Sequence, residues 1–298
     1  LYREPIYTLL DKELHCSFFI GDELKSPLKL MDYTSLEGFR NKLANMYIFN
    51  NIYWQRGIFN TLKSKYSIYL ITGDPFCLSN WFLLLYAKIL NKKVYLWTHG
   101  WYGREGLLKK ILKKIFFKLS YGVFLYSNFA KKLMISEGIL VKNLIPIYNS
   151  LDYDKQILVR EKLKKNTIYQ KLFKNDYPVL IFVGRIMGNK KLDQVLHAMK
   201  EAKDEGFKMN FILVGKEIDH NNLREVIQAL KLTKNVHFYG ECFDEETLGS
   251  LIFNAKVCVS PGIVGLTAIH SLMYGTPVVS HGDCYSQAPE FEVIEDGI

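Results

Sequence analysis

From residue 179 onward, short apolar runs alternate with helical patterns, and no other feature of the chain narrows its fold as much. Val179–Val183 is an apolar run ending in Gly184-Arg185, and helical spacing follows at Leu192, Val195, Leu196 and Met199. Next come a strand at Phe211–Val214 closed by Gly215, a helix at Leu223–Leu230, a strand at Val236–Tyr239 closed by Gly240 and a helix at Glu245–Phe253. Strand Val257–Val259, helix Gly265–Met273 and strand Pro277–Ser280 complete the series. Strands that are apolar at nearly every position are covered on both faces. This order therefore predicts a parallel sheet with helices on each side.

The first half has the same character with less regularity. Strands are expected at Cys16–Ile20, Tyr66–Ile71, Lys93–Trp97, Gly122–Tyr126 and Leu144–Tyr148. Helical patterns are read over residues 36–64, Leu78–Leu90 and Leu107–Leu119. The expectation is an α/β chain of two Rossmann-like domains, residues 1–155 and 156–298, facing each other across a cleft. The polar stretch 152–176 reads as their connection. Ligands of parallel sheets lie off the carboxyl ends of the strands, so the cleft is the expected site.

The 298 residues suffice for two cores, and 49% hydrophobic with 23% charged residues excludes a disordered tail or a disulfide-stapled miniprotein. Five scattered cysteines without C-x-x-C spacing point to a reducing compartment and no structural zinc. No leader precedes the first strand, and the chain reads as cut at both ends. Val257–Ser280 lacks charge but contains Pro261, Gly262, Gly265, Gly275 and Pro277, which excludes a membrane span. Charge is uneven: residues 1–150 hold 21 Lys+Arg against 10 Asp+Glu, and residues 151–298 hold 18 against 20. The basic half calls for an anionic partner: a membrane surface, a phosphorylated lipid or a nucleic acid. No nucleic-acid motif accompanies the lysines, so nucleic acid ranks last.

Two segments carry chemistry. At Val183-Gly184-Arg185 and Lys190 a strand ends in glycine, and two cations follow in one short loop. A guanidinium fork and an ammonium suit a diphosphate, although two solvated charges would give the same string. In Ser260-Pro261-Gly262-Ile263-Val264-Gly265-Leu266-Thr267-Ala268-Ile269-His270 a strand runs through a glycine-bearing turn into a helix. The first amides of such a helix form an anion site, and Gly265 admits the anion to the backbone. Taken alone, this segment is an ordinary strand-to-helix turn. Arg185 and Lys190 give it weight.

The ordered set "FVGRIMGNKKLDQVLHAMKE", "FILVGKE", "NVHFYGE", "LIFNAKVCVSPG", "GLTAIHSLMYGTPVVSH" and "PEFEVIEDG" resembles the carboxyl-terminal domain of the family 4 glycosyltransferases of GT-B fold. "LWTHGWYGRE" is similar to the strand-end His-Gly loop of that family's first domain, and "IYNSLDYD" to its segment before the domain crossover. The resemblance implies a metal-independent, retaining glycosyltransferase. It would take a nucleotide-sugar as substrate, need no cofactor, and act on a glycan or glycolipid acceptor in polysaccharide or glycolipid synthesis. The place expected for it is the cytoplasm or the inner face of the membrane, held peripherally by the basic first domain.

The resemblance assigns diphosphate binding to Arg185 and Lys190 beside Gly184. It gives the contacting helix start to Gly265, Leu266 and Thr267, and the nucleobase to residues from Tyr239-Gly240 onward. His99 stands near the donor sugar. One departure matters. Gly262 and His270 occupy the positions where the family carries two glutamates, one for the sugar and one for the ribose. His270 can still bond a ribose hydroxyl. Glu290 or Glu292 is the candidate substitute at the sugar, with Glu292 the better match. A GT-B-fold sugar-nucleotide epimerase and an inactive nucleotide-sugar-binding subunit are the alternatives.

Weaker signals have plain readings. Asp152-Tyr153-Asp154 is a chance D-x-D string at a domain junction, and His281-Gly282-Asp283-Cys284 is too crowded for a tetrahedral metal site. His15, His197 and His237 read as structural or solvated. In Leu107–Leu119 one face holds Leu107, Leu108, Ile111, Leu112, Ile115, Phe116 and Leu119, and the other Lys109, Lys110, Lys113, Lys114 and Lys118. A domain helix with its apolar face on the sheet and its lysines in water is expected, in preference to a helix inserted in a membrane.

Overall fold

The computed structural model describes residues 3–22, 31–62, 66–140, 143–218 and 222–297. The chain divides into two compact units, Leu1–Asn149 and Ser150–Ile298.

In the second unit the alternation becomes a five-stranded parallel sheet in the order β10-β9-β8-β11-β12. Its strands are β8 (Val179–Val183), β9 (Asn210–Val214), β10 (Val236–Gly240), β11 (Val257–Val259) and β12 (Val278–Val279). Between them run α8 (Leu192–Asp204), α9 (Leu223–Ala229), α10 (Glu245–Asn254) and α11 (Thr267–Met273). Side chains along each strand alternate between two cores. Phe182, Phe211 and Leu213 pack with Leu192, Leu196 and Met199 of α8 and Ile227 of α9. Ile181, Ile212 and Val214 pack with Leu248, Leu251 and Ile252 of α10.

The chain leaves β8 toward β9 and β10, then crosses back to lay β11 on the other side of β8. The strand order reverses there. In open parallel sheets that reversal opens a crevice at the carboxyl ends of the two strands concerned.

The stretch 152–176 is no linker. It contains α6 (Tyr153–Lys162) and α7 (Ile168–Phe173), which bury Val159 and Tyr169 in the α10 core. Asp152 starts α6 as a cap, its side chain accepting the Lys155 amide, which gives the first Asp of the D-x-D string a structural task. α6 is charged and weakly amphipathic, burying only Gln156 and Val159, so its apolar face is faint in the sequence.

The first unit has a four-stranded parallel sheet, β4 (Ile68–Thr72), β5 (Lys93–Thr98), β6 (Gly122–Leu125) and β7 (Leu144–Pro146), in that order. Between these strands lie α3 (Leu78–Ile89), α4 (Leu107–Leu119) and α5 (Asn128–Ser136). Ahead of this sheet, α1 (Glu4–Leu14) precedes a second sheet of β1 (Phe18–Gly21), β2 (Phe39–Phe49) and β3 (Ile52–Arg56), followed by the short α2 (Ile58–Leu62).

The helix expected over 36–64 is therefore replaced, over its described residues, by a hairpin and a short helix. Phe49 pairs with Ile52, so Asn50-Asn51 is a two-residue turn, and Asn50 takes φ +44°. Aromatic and β-branched residues flank that turn on both sides, and the Tyr47 ring packs, tilted, against Tyr53 across it at 5.5 Å. The apolar residues of this segment also fit a helical period. The Asn-Asn punctuation is what decides for strands.

The amphipathic helix α4 is present but rotated: of the face expected inside, Phe116 is buried and Leu119 half-buried, and the rest is not. Phe116, Phe117 and Lys113 face the interior, while Leu107, Leu108, Ile111, Leu112 and Ile115 are exposed. Two phenylalanines bury more apolar area than the leucines opposite them, and Trp81 of α3 packs on Phe116 at 5.0 Å.

Candidate functional site

The carboxyl ends of β8 and β11, where the strand order reverses, hold both segments singled out in the sequence. β8 gives way to Gly184 at φ +143°, then Arg185, and a 3-10 turn over Gly188–Lys190 follows. β11 gives way to Ser260 and the loop 261–266, and α11 starts at Thr267.

The two loops are latched together through their backbones. The Gly262 amide donates to the Lys190 carbonyl at 3.0 Å, and the Ile263 amide to the Asn189 carbonyl at 3.3 Å. The Lys190 ammonium in turn donates to the Ile263 carbonyl. Thr267 ties the start of α11 to β8, its hydroxyl donating to the Val183 carbonyl at 2.6 Å. Gln287, buried, takes the Val264 amide at 2.9 Å and donates to the Ser280 hydroxyl at 2.8 Å, which holds the loop from the other side.

This packing explains the glycine at 262. A Cβ there would lie 2.0 Å from the Asn189 carbonyl oxygen and 2.8 Å from the Lys190 Cα. No side chain fits without moving the lysine-bearing loop, so a carboxylate and this latch exclude one another. Gly265 differs. Its φ is +60°, and a Cβ would meet nothing within 4 Å, so conformation alone favours glycine there.

Electrostatics concentrate on Lys190. Burial is the main cause that pulls its ammonium down to about 8; Arg185 adds repulsion, and Glu290 works in the opposite direction. A half-buried cation held next to a second cation is strained in the direction an anion relieves. Of the two carboxylates the sequence offered, Glu290 is the buried one whose charge reaches Lys190, while Glu292 is half-buried. Leu266 and Thr267 open α11 without a side-chain cap. The first amides of such a helix have no partner within the helix. With only seven residues, α11 offers those amides rather than a large dipole.

Tyr239 and Gly240 close β10, and the glycines at the ends of β8, β9 and β10 form a ledge without side chains. The Gly184 amide bonds Val214, and the Gly215 amide bonds Gly240. A Cβ on Gly215 would strike the Gly184 carbonyl at 1.9 Å. Gly215 is the third strand-end glycine of the sequence, and its φ of +146° also favours glycine.

His270 is engaged by Glu245 of α10. Its Nε2 lies 2.8 Å from Glu245 Oε1, which also accepts from the Tyr274 hydroxyl at 2.6 Å and from Gln156 at 3.1 Å. Burial opposes the Glu245 charge, but the hydrogen bonds and charge of His270, with Tyr274 and Gln156, pull it down to about 2. Glu245 had no sequence signal, because its nearest side-chain partner is 25 residues away, and Gln287 reaches the Val264 amide across 23 residues besides Ser280 and His281 close by.

His99 lies in the first unit, after β5, with its ring 4.6 Å from Tyr126. Its loop is built by Lys113, which sequence periodicity had placed among the solvated lysines. The Lys113 ammonium donates to the Gly100 carbonyl at 2.6 Å and to Glu105 at 2.7 Å, and Glu105 accepts the amides of Tyr102 and Gly103. Burial opposes both charges of the pair. For Glu105 the bonds from Lys113 and the Tyr102 amide win and hold its carboxyl below the usual range, whereas the Lys113 ammonium stays below its own.

Residues 164–295 match the family described as glycosyl transferases group 1. Over 110 residues the chain is 32% identical to alpha-monoglucosyldiacylglycerol synthase of Streptococcus pneumoniae (strain ATCC BAA-255 / R6), a stretch that is 36% of this chain and 24% of that protein. Two solved structures share the fold at low identity. The lipopolysaccharide outer core galactosyltransferase WaaB, apo form, matches with TM-score 0.66 and 14% identity over 99% of this chain and 79% of that one. Anabaena Alr3699/HepE in complex with UDP matches with TM-score 0.60 and 16% identity over 77% of this chain and 63% of that one. The chain thus spans about a quarter of its curated relative and under two thirds of HepE. Residues 164–295 are thus similar to the glycosyl transferases group 1 family, and the chain shares the α/β fold of these solved structures.

Proposed function

We propose that the protein is a glycosyltransferase that moves a sugar from a nucleotide-diphosphate donor to a glycan or lipid-linked acceptor. The observation that carries this reading is the latch at the strand-order reversal. It sets Lys190, with Arg185 in electrostatic range, against the loop that opens α11. As the bond from the anomeric carbon to the diphosphate breaks, negative charge grows on the leaving group. Arg185, Lys190 and the amides of Leu266 and Thr267 neutralise it, so this reading calls for no metal and no cofactor. Tyr239 and Gly240 stand where the nucleobase is read. His270 and Glu245 face the ribose, and Glu290, with Glu292 the alternative, replaces the sugar-facing carboxylate that Gly262 excludes. His99 orients the sugar, and retention of anomeric configuration is part of the reading.

The relative named for a glucosyldiacylglycerol makes lipid acceptors the first to try. A peripheral position on an anionic membrane surface belongs to the same reading, on the charge of the first half. The absence of a side chain at 262 favours one second reading, a subunit that binds nucleotide-sugar without turning it over.

A thermal-shift panel of nucleoside diphosphates and their sugars tests the donor site, because a ligand of the native state stabilises it by mass action. Stabilisation by one base series, followed by sugar transfer to lipid extract from that donor, supports the transferase. Stabilisation without transfer supports the binding subunit. A sugar altered with donor alone identifies an epimerase. No response from any member overturns the donor site.

A further inference from the structure

The outer faces of α3 and α4 form one apolar surface on the first unit. The strands β4, β5, β6 and β7 are parallel and follow chain order, so right-handed crossovers put α3 and α4 on the same face of the sheet. The two helices touch through Trp81 and Phe116. α3 buries Leu83, Leu84 and Ala87 and turns Phe82, Leu85, Tyr86 and Ile89 outward, at i, i+3, i+4 and i+7. α4 turns out Leu107, Leu108, Ile111, Leu112 and Ile115. Leu108 is 84% exposed and Ile89 78%. Single exposed leucines are ordinary on a protein surface; two adjacent stripes are not.

Charge identifies the occupant. Neither helix contains an acidic residue. Lys109 borders the α4 stripe toward α3, with its ammonium 5.7 Å from the Phe76 ring centroid. Lys110 and Lys114 border it on the other side, both paired with Glu137. Lys88 and Lys118 are exposed. A second copy of this face would set lysine against lysine across a two-fold axis. A leaflet of anionic lipid offers hydrocarbon to the stripes and phosphate to the rim, with each lysine stem lying along apolar surface.

We infer that α3 and α4 are a membrane-docking face, on which the two apolar stripes enter the headgroup–acyl boundary of an anionic leaflet and the lysine rim binds lipid phosphates. This deepens the membrane part of the proposed function and does not depend on sugar transfer.

The full chain is sedimented with vesicles of phosphatidylcholine alone and with vesicles mixing phosphatidylcholine and phosphatidylglycerol. Binding to the anionic vesicles is expected to exceed binding to the neutral ones by roughly tenfold or more. High salt weakens it without abolishing it, because the apolar part is unscreened. The double variant Leu108→Glu/Ile111→Glu loses about tenfold or more of the binding. Its stabilisation by donor nucleotide stays that of the wild type, which separates this face from the donor site. The inference is overturned if the wild type ignores anionic vesicles, or if the double variant binds them equally well. It is also overturned if the chain ignores vesicles but runs as a dimer that the double variant dissociates.

Discussion

The two units use the same parallel-sheet chemistry to different ends. In the second, both faces of the sheet are covered, and the polar work is gathered where β8 and β11 diverge. In the first, a helix presents its leucines outward and keeps a lysine inside. Apolar periodicity located α8 and α4 equally well. It gave the buried face only for α8, whose stripe has no rival; α4 has two apolar edges, and its aromatic edge took the interior.

The contrast between buried Lys113 and half-buried Lys190 is the sharpest place to break this comparison. Lys113 and Glu105 are 7% and 3% exposed and hold the His99 loop. Lys113→Met leaves the carboxylate buried without its partner and is expected to cost about 3–5 kcal/mol, measured by chemical denaturation. Lys190 is half-buried, and in the proposed reading it serves binding. Lys190→Ala or Arg185→Ala should lower turnover by about 10²–10³, with little change in melting temperature. A large stability loss in Lys190→Ala would make that lysine structural as well and merge the two cases.

Next in size is Glu245. Its carboxyl is depressed in the fold to about 2 from an ordinary 4.5. Its contribution is therefore complete above about pH 4.5 and lost as pH falls through about 2. Glu245→Gln should cost about 1.5–3 kcal/mol at neutral pH and flatten the acid limb of stability against pH. An unchanged acid limb would remove Glu245 from the network.

The glycines make a smaller comparison within one loop. Gly262→Ala meets the Asn189 carbonyl and should cost about 1–3 kcal/mol together with donor affinity. Gly265→Ala meets open space and should cost about 1 kcal/mol of backbone strain. Equal losses in denaturation and nucleotide titration would contradict the latch.

The smallest effect is a pH dependence. In the free protein Lys190 is cationic below about 8 and neutral above it. Diphosphate affinity should fall as pH rises through that value, by less than about tenfold per unit. In Arg185→Ala the repulsion is gone and the midpoint moves up. Folding stability runs the opposite way: between about 8 and the ordinary 10.5 the unfolded chain binds the extra proton, so stability rises with pH.

The succession of strands and helices in the second unit and the approach of the Lys190 loop to the 260–267 turn were legible because both lie in strand-end strings with local punctuation. The hairpin at Asn50-Asn51 was masked by apolar residues that fit two periods. Glu245 acts on partners brought by the fold, Gln287 on both distant and nearby groups, and Glu105 on its own turn and Lys113; apolar periodicity carries no information about such polar pairs. The direction of α4 was closed to sequence for a related reason: Lys113 looks like its neighbours until Glu105 is placed beside it.

Calorimetric titration of a nucleoside diphosphate against its parent nucleoside tests the anion clamp most directly, in the wild type and in Arg185→Ala/Lys190→Ala. The diphosphate should bind the wild type about a hundredfold or more tighter than the nucleoside, on the order of two charge-assisted contacts, and the double variant should hold the two alike. Equal binding by the wild type, or a preference that survives the double substitution, would contradict the account.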